Sequence, residues 1–165
     1  MNPCPCGYYG QDRCRCTDYE ILKYRQKVSG PIMDRIDIQK YVHPINFLDE
    51  FDEDQSISSE ELRNKVEEVR NIQKERYIDN EGINCNAQMN EKLINKYCEL
   101  NEECKIIMKK SYEKYKFSAR SYNKYLKVAR TFADFEGHEN IETEDLLNAI
   151  SGRDLEKEEN NMLVV

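Results

Sequence analysis

FSARSYNKYLKVARTFADFEG, residues 117–137, is the stretch of the chain that decides its fold. Its apolar residues recur every three or four positions, which predicts one long amphipathic helix with a wide buried face. Ser118 can cap the first turn, and Gly137 can end the helix in the left-handed conformation. The apolar positions are Tyr122, Tyr125, Leu126, Val128, Ala129, Phe132, Ala133 and Phe135. Because this face is so wide, the helix needs other helices to cover it.

Capping residues on both sides predict four further helices. Ser58 precedes Glu61 by three residues, the spacing of a capping box, and begins a helix that runs to about Tyr77. Its predicted inner face consists of Leu62, Val66, Val69 and either Ile72 or Gln73. The other predicted caps are Asn90 for a helix to about Cys98, Asn101 for a helix through Tyr115, and Thr143 for a final helix with Glu144 and Asp145 in its first turn. Residues 58–155 are therefore predicted to form a helical bundle.

Residues 1–48 follow a different pattern. They comprise a cysteine-rich loop, a short helix over 17–27, a small-residue break at 28–30 and a strand over 36–42, where Ile36 and Ile38 alternate with polar residues. One strand and a loop cannot bury a core by themselves, so we interpret this part as the end of another domain. Residues 49–57 are an acidic linker, since five of the seven residues 49–55 are acids. Residues 156–165 are predicted to be a frayed tail.

Composition restricts the class of protein. The net charge of −7 and the isoelectric point of about 5.1 argue against a general polyanion binder, so any nucleic-acid contact requires a local basic patch. The sequence contains no apolar run of membrane-spanning length, and its first residues do not have the layout of a signal peptide. We therefore expect no membrane partner, a cytoplasmic location and reduced cysteines.

Four of the seven cysteines form two Cys-x-Cys pairs, Cys4 with Cys6 and Cys14 with Cys16. Two close thiol pairs joined by a turn can supply the four soft ligands of a structural zinc ion. Four reduced thiols on a surface loop, or two disulfides, are the alternatives. We interpret Cys85, Cys98 and Cys104 as small core or surface residues.

A basic run follows in the second half of the chain. Residues 105–130 contain nine Lys or Arg residues and one acid, interleaved with aromatic residues. The basic residues of such a run can bind phosphates, and its aromatic residues can stack on bases. Alternatively, the run forms the solvated faces of two helices whose aromatic residues are buried. Neither histidine shows metal-ligand spacing, and the sequence contains no Gly-rich phosphate loop ending in Lys-Ser or Lys-Thr.

Three sequence blocks together resemble the Mg-chelatase-like AAA+ ATPases of the ComM/YifB family. They are Asn2-Pro3-Cys4-Pro5-Cys6-Gly7, Ser29-Gly30-Pro31-Ile32-Met33-Asp34-Arg35-Ile36-Asp37, and Phe117-Ser118-Ala119-Arg120 with its continuation Val128-Ala129-Arg130-Thr131. The resemblance covers about residues 1–155. It implies a mainly α fold, in which the end of an AAA+ α/β core precedes a helical lid domain. It also implies that the P-loop and the Walker B strand lie upstream.

The resemblance also implies roles for individual residues. Asn2 corresponds to the sensor-1 asparagine that orients the attacking water, and Arg35 to the arginine that reaches the nucleotide of a neighbouring subunit. Arg120 corresponds to the sensor-2 arginine that contacts the phosphates in cis, and Arg130 is a secondary nucleotide-binding candidate. From the residues alone, Arg35 could instead form a salt bridge with Asp34 or Asp37, and Arg120 could be a solvated helix start.

The resemblance implies a ring-forming ATPase, which we expect to be a hexamer. It also implies that this ATPase uses ATP with Mg²⁺ to act on DNA in transformation and recombination, for example in branch migration. A motor subunit that drives Mg²⁺ insertion into a porphyrin is one alternative. A free-standing zinc-dependent nucleic-acid adaptor is another. Because the sequence contains no P-loop, we expect that residues 1–165 alone do not hydrolyse ATP.

Overall fold

The computed structural model describes residues 2–33, 35–40, 42 and 57–152. The predicted tail and the predicted linker, except for Ile57, lie outside these residues. The chain divides into two compact units, Met1–Ile36 and Asp37–Val165. The described residues are mostly helical, which confirms the fold class predicted from the sequence.

The first unit consists of a thiol loop and two short helices, α1 (Asp18–Arg25) and α2 (Gly30–Met33). Thr17 and Glu20 form a capping box at the start of α1, in which the Thr17 side chain accepts from the Glu20 backbone and the Glu20 carboxylate accepts from Thr17. Helix α1 buries Ile21 and Arg25, while most of its other residues stay exposed or half-buried. The predicted helix over 17–27 is thus confirmed.

The second unit is a helical bundle. Its elements are α3 (Ser59–Arg76), a 3-10 turn (Asn86–Gln88), α4 (Glu91–Tyr97), α5 (Glu102–Tyr115), α6 (Ala119–Glu136) and α7 (Thr143–Ser151). Ser58, Asn90, Asn101 and Ser118 cap α3 to α6 through their side chains, as predicted. Gly137 ends α6 with a φ of 80°, a left-handed conformation that costs glycine little. The cap of α7 is Glu142 instead of Thr143, because the Asp145 carboxylate accepts from the Glu142 backbone.

Helix α6 lies at the centre of this bundle and packs against α3, α4, α7 and the 3-10 turn. Of its predicted apolar face, Tyr125, Leu126, Ala129 and Ala133 are buried. Helix α5 packs on α7. A parallel backbone bridge between Leu100, just before α5, and Ile141, just before α7, joins the starts of these two helices. The other apolar residues of the core include Tyr77, Met89, Leu93, Ile94, Met108, Phe117, Leu146 and Ile150.

Two predictions differ from the structure. The predicted strand over 36–42 is wrong for its described residues: Ile36 and Ile38 are exposed, Ile36 N donates to Met33 O in a turn, and Gln39 N donates to Gly152 O at 2.6 Å without forming a strand. The predicted inner face of α3 is only partly buried, since Val69 and Gln73 are buried and Leu62, Val66 and Ile72 are exposed. An apolar stripe predicts which face of a helix is apolar, and tertiary packing decides how much of it is covered.

Candidate nucleotide-responsive residues and thiol cluster

Cys4, Cys6, Cys14 and Cys16 bring their sulfur atoms together in the first unit. The four sulfur atoms all lie within 4.8 Å of one another. Cys4 Sγ is 3.4 Å from Cys6 Sγ and 3.8 Å from Cys14 Sγ, and Cys6 Sγ is 3.6 Å from Cys14 Sγ. A tetrahedron with zinc–sulfur distances of about 2.3 Å has edges of about 3.8 Å. The sulfur positions therefore fit tetrahedral coordination of one zinc ion.

Consecutive turns build this thiol loop. Gly7 N donates to Cys4 O at 3.2 Å, Gln11 N to Tyr8 O at 3.0 Å, and Cys14 N to Gln11 O at 2.9 Å. Gly7 and Gly10 have φ angles of 81° and 78°, which residues with a side chain rarely adopt. The turns fold the segment back on itself, so that the second thiol pair meets the first.

The thiols differ in their surroundings. Cys4 is fully buried, Cys6 is exposed, and Cys14 and Cys16 are half-buried. A hydrogen bond from the Tyr8 backbone, together with one from the Cys16 side chain, lowers the pKa of Cys6 to about 6. Hydrogen bonds with Cys6 and desolvation raise the pKa of Cys14 and Cys16 instead, so in the absence of metal the thiolate is favoured at Cys6 and disfavoured at Cys14 and Cys16.

Arg35 follows α2, and its guanidinium is exposed. Nη1 donates to Pro31 O at 2.7 Å, so the side chain folds back along α2. The Asp37 carboxylate, considered above as a partner of Arg35, lies 2.9 Å from Lys124 Nζ. Asp34 lies outside the described residues.

Arg120, Lys124 and Lys127 line one open groove in the second unit. Arg120 is the second residue of α6 and is exposed, and the two lysines follow it on the same side of the helix. The groove has a volume of about 370 Å³, and its other polar lining residues are Asn123, Thr131, Asp37 and Glu91. Lys127 Nζ donates to Ala87 O at 2.9 Å. Arg120 lies in the first turn of α6, at its positive end, whereas Lys124 and Lys127 are the sixth and ninth residues of the helix. The groove therefore combines three cations with two carboxylates, and one of the cations, Lys124, is paired with Asp37.

Arg130 lies apart from that groove, inside the bundle. Only 3% of its surface is exposed. Nε donates to Asp134 at 3.0 Å, Nη1 to Glu139 O at 2.7 Å and Nη2 to His138 O at 2.7 Å. All three nitrogens are thus bonded within the bundle. We therefore assign Arg130 to the core and leave it out of the nucleotide site proposed below.

A buried polar network around Asp134 was not predicted from the sequence. Its carboxylate accepts from Arg76 through both guanidinium nitrogens, from Asn86 Nδ2 at 2.8 Å and from Arg130. The Tyr77 hydroxyl donates to Asn86 Oδ1 at 2.7 Å and so extends the network. Burial alone would raise the pKa of Asp134, but the hydrogen bonds and charges of these partners lower it. The spacing of Arg130 and Asp134, four residues apart on α6, was the only sequence signal for this network.

The basic run over 105–130 divides between surface and core. Lys105, Lys109, Lys110, Lys114 and Lys116 are exposed. Phe117 and Tyr125 are buried and stack edge to face, with ring centroids 4.9 Å apart. Tyr112 is 52% exposed. The run therefore provides a lysine-rich surface with few exposed aromatic rings.

The family description "Magnesium chelatase, subunit ChlI C-terminal" matches residues 56–153, and "Magnesium chelatase, subunit ChlI" matches residues 1–47. The chain belongs to the Mg-chelatase-like family. Members of this family are AAA+ proteins, and membership suggests ATP with Mg²⁺ as the general cofactor.

Among its relatives, this Mg-chelatase-like chain is similar to Competence protein ComM of Haemophilus influenzae, with 35% identity over 155 residues, 93% of this chain and 29% of ComM. It is 30% identical to YifB of Escherichia coli over 159 residues and 28% identical to YifB of Salmonella typhimurium over 160 residues, in each case 95% of this chain and 30% of the relative. The chain thus spans about three tenths of the length of these relatives. Among the described residues, none of the helices combines the length and apolar character needed to cross a membrane.

Proposed function

We propose that this chain supplies the nucleotide-responsive part of a ring-forming AAA+ ATPase that acts on DNA. The observation that carries the proposal is the groove along the N-terminal half of α6, where the cations of Arg120, Lys124 and Lys127 outnumber the carboxylates of Asp37 and Glu91. The N-terminus of a helix favours anions, and the exposed guanidinium of Arg120 in the first turn of α6 adds to that preference. A triphosphate is the anion that the family membership suggests for this groove.

Three residues carry the nucleotide response. Asn2 orients the attacking water as sensor 1, and Arg120 contacts the phosphates of the same subunit's ATP. Arg35 reaches the ATP of the neighbouring subunit, where a planar guanidinium stabilises the charge that develops on the transferred phosphoryl group. The exposure of all three side chains supports this assignment. An arginine that acts on a neighbour's ATP requires repeated subunit interfaces, so the assembly is a closed ring, which we expect to be a hexamer.

The thiol cluster is proposed to hold a structural zinc ion. Four thiolates fill the coordination sphere and leave no position for a reacting water, so zinc would stiffen the loop. The close approach of the four sulfur atoms supports this role.

The purified chain should carry about one zinc ion per chain, as measured by mass spectrometry of the released metal. Cys4→Ser and Cys14→Ser should each abolish stoichiometric binding, because each removes one of four ligands. Cys85→Ser is the matched control, since Cys85 is half-buried and lies outside the cluster. Metal-free chain in which all four N-terminal thiols react readily with an alkylating reagent would contradict the assignment.

The choice of DNA as the substrate rests on two observations. One relative carries the name Competence protein, and residues 105–116 contain five exposed lysines. Such lysines neutralise phosphates irrespective of sequence, which predicts salt-dependent binding.

ATP turnover of the assembled ATPase should rise several-fold on addition of branched or single-stranded DNA. Lys109→Ala combined with Lys110→Ala should reduce this stimulation and its dependence on salt, because two phosphate contacts are lost. Lys74→Ala removes an exposed lysine from α3 and should leave stimulation unchanged. If ATP turnover does not change on addition of DNA but rises on addition of a porphyrin with Mg²⁺, the metal-insertion alternative would be favoured.

A further inference from the structure

The side chain of Asn2 lies directly against the thiol loop. A Cβ atom built on Gly7 would be 3.5 Å from Asn2 Nδ2 and 3.9 Å from Asn2 Cγ. Gly7 lies in the turn closed by the hydrogen bond from its N–H to Cys4 O at 3.2 Å. The amide of Asn2 therefore sits on the turn that also carries Cys4 and Cys6.

A buried arginine fixes the backbone of the same turn. Arg25, on the last turn of α1, is only 4% exposed, and its Nε donates to Pro3 O at 3.0 Å. That carbonyl belongs to the residue between Asn2 and Cys4. The Arg25 guanidinium also stacks 4.8 Å from the centroid of the Tyr9 ring, in the segment between the two thiol pairs.

Arg25 thus joins three parts of the first unit: helix α1, the Asn2-Pro3-Cys4 segment and the middle of the thiol loop. Pro3 has no backbone N–H, so its carbonyl is the only main-chain hydrogen-bonding group of that residue. A hydrogen bond from the buried Arg25 guanidinium to this carbonyl restricts the backbone conformation of Pro3, the residue that follows Asn2. Arg25 therefore constrains the backbone next to Asn2, and the Asn2 amide lies beside the turn at Gly7.

We propose that Arg25 is a positioning residue that acts through Asn2, and that the thiol loop is the platform that holds this amide in place for the attacking water. This inference rests on the proposed function, in which Asn2 is sensor 1. An amide that orients a water must hold it within hydrogen-bond distance, and a displacement of about 1 Å can cost about a hundredfold in rate. Arg25 itself contacts neither nucleotide nor water.

The test measures ATP turnover, nucleotide affinity and zinc content of Arg25→Met in the assembled ATPase. Turnover should fall tenfold or more, while nucleotide affinity and zinc content stay within twofold of the unchanged protein. Lys23→Met is the matched control, because it removes an exposed cation from the same helix, and it should change none of the three quantities. Arg25→Lys retains one donor for Pro3 O and should keep more turnover than Arg25→Met.

Combination with Asn2→Ala separates positioning from a general structural role. If Arg25 acts through Asn2, adding Arg25→Met to Asn2→Ala should lower turnover by less than twofold further. If the two effects multiply, the inference is overturned while the assignment of Asn2 stands. If Asn2→Ala alone leaves turnover unchanged, the sensor-1 assignment fails and the inference fails with it. Loss of zinc in both Arg25 variants would also overturn the inference, since Arg25 would then support the whole loop.

Discussion

Arg35→Ala is expected to lower ATP turnover of the assembled ATPase about 10³-fold while nucleotide affinity stays unchanged. A guanidinium that stabilises charge developing only in the transition state contributes to turnover and not to ground-state binding. The side chain is exposed, and Nη1 donates to Pro31 O at 2.7 Å. Phosphate release measures turnover, and a fluorescent nucleotide measures affinity. Arg70→Ala removes an exposed guanidinium from α3 and is the matched control.

Mixed rings test whether Arg35 acts on a neighbour. Subunits with Arg35→Ala should regain turnover when they assemble with subunits whose P-loop is inactivated, because the latter still provide Arg35 to the ATP of the former. The turnover of subunits with Arg120→Ala should not recover with the same partners, since Arg120 contacts the nucleotide of its own subunit. If the Arg35→Ala ring keeps its turnover, Arg35 does not stabilise the transition state of ATP hydrolysis. If mixed rings fail to regain turnover, Arg35 does not act on the ATP of a neighbouring subunit.

Local sequence signals predicted the helices of the bundle. The capping box of Ser58 and Glu61 lies within four residues, so its geometry depends on little besides the local backbone. The apolar repeat of α6 predicted the central helix for the same reason, because a single face accounts for the whole pattern. The four cysteines were also predictable as a cluster, since a short loop that contains Gly7 and Gly10 can bring the two pairs together.

Contacts between distant residues were not predictable in this way. Arg76 and Asp134 are 58 residues apart, and no local pattern indicates that they form a buried ion pair. For the same reason, the sequence motif indicated that Arg130 is a nucleotide ligand, whereas its hydrogen-bond partners place it in the core. The exposed part of the α3 face and the absence of a strand among the described residues of 36–42 have the same origin. Periodicity describes one element, and its burial depends on what the rest of the chain places against it.

Asp134→Asn is expected to lower the free energy of unfolding of the bundle by about 3–5 kcal/mol. Asparagine keeps the volume of the side chain and removes its charge, so Arg76 and Arg130 lose the carboxylate between them. The Arg130 side chain is 4% exposed and the Arg76 side chain 15% exposed, so water can replace little of the lost interaction. Urea unfolding followed by circular dichroism measures the change. Glu136→Gln makes the same chemical replacement at an exposed position of α6 and should be nearly neutral.

The pH dependence of this difference identifies its cause. The partners of Asp134 lower its pKa in the folded protein below the value of about 3.9 that an unfolded aspartate has. The stabilisation is therefore fully present above that value and is lost as the pH falls through the folded-state pKa. Asparagine resembles the protonated carboxylic acid, so the two proteins should converge in stability as the pH is lowered below about 4. A difference that stays constant down to strongly acidic pH would show that Asp134 stabilises the bundle by packing, and would remove the ion pair from the explanation.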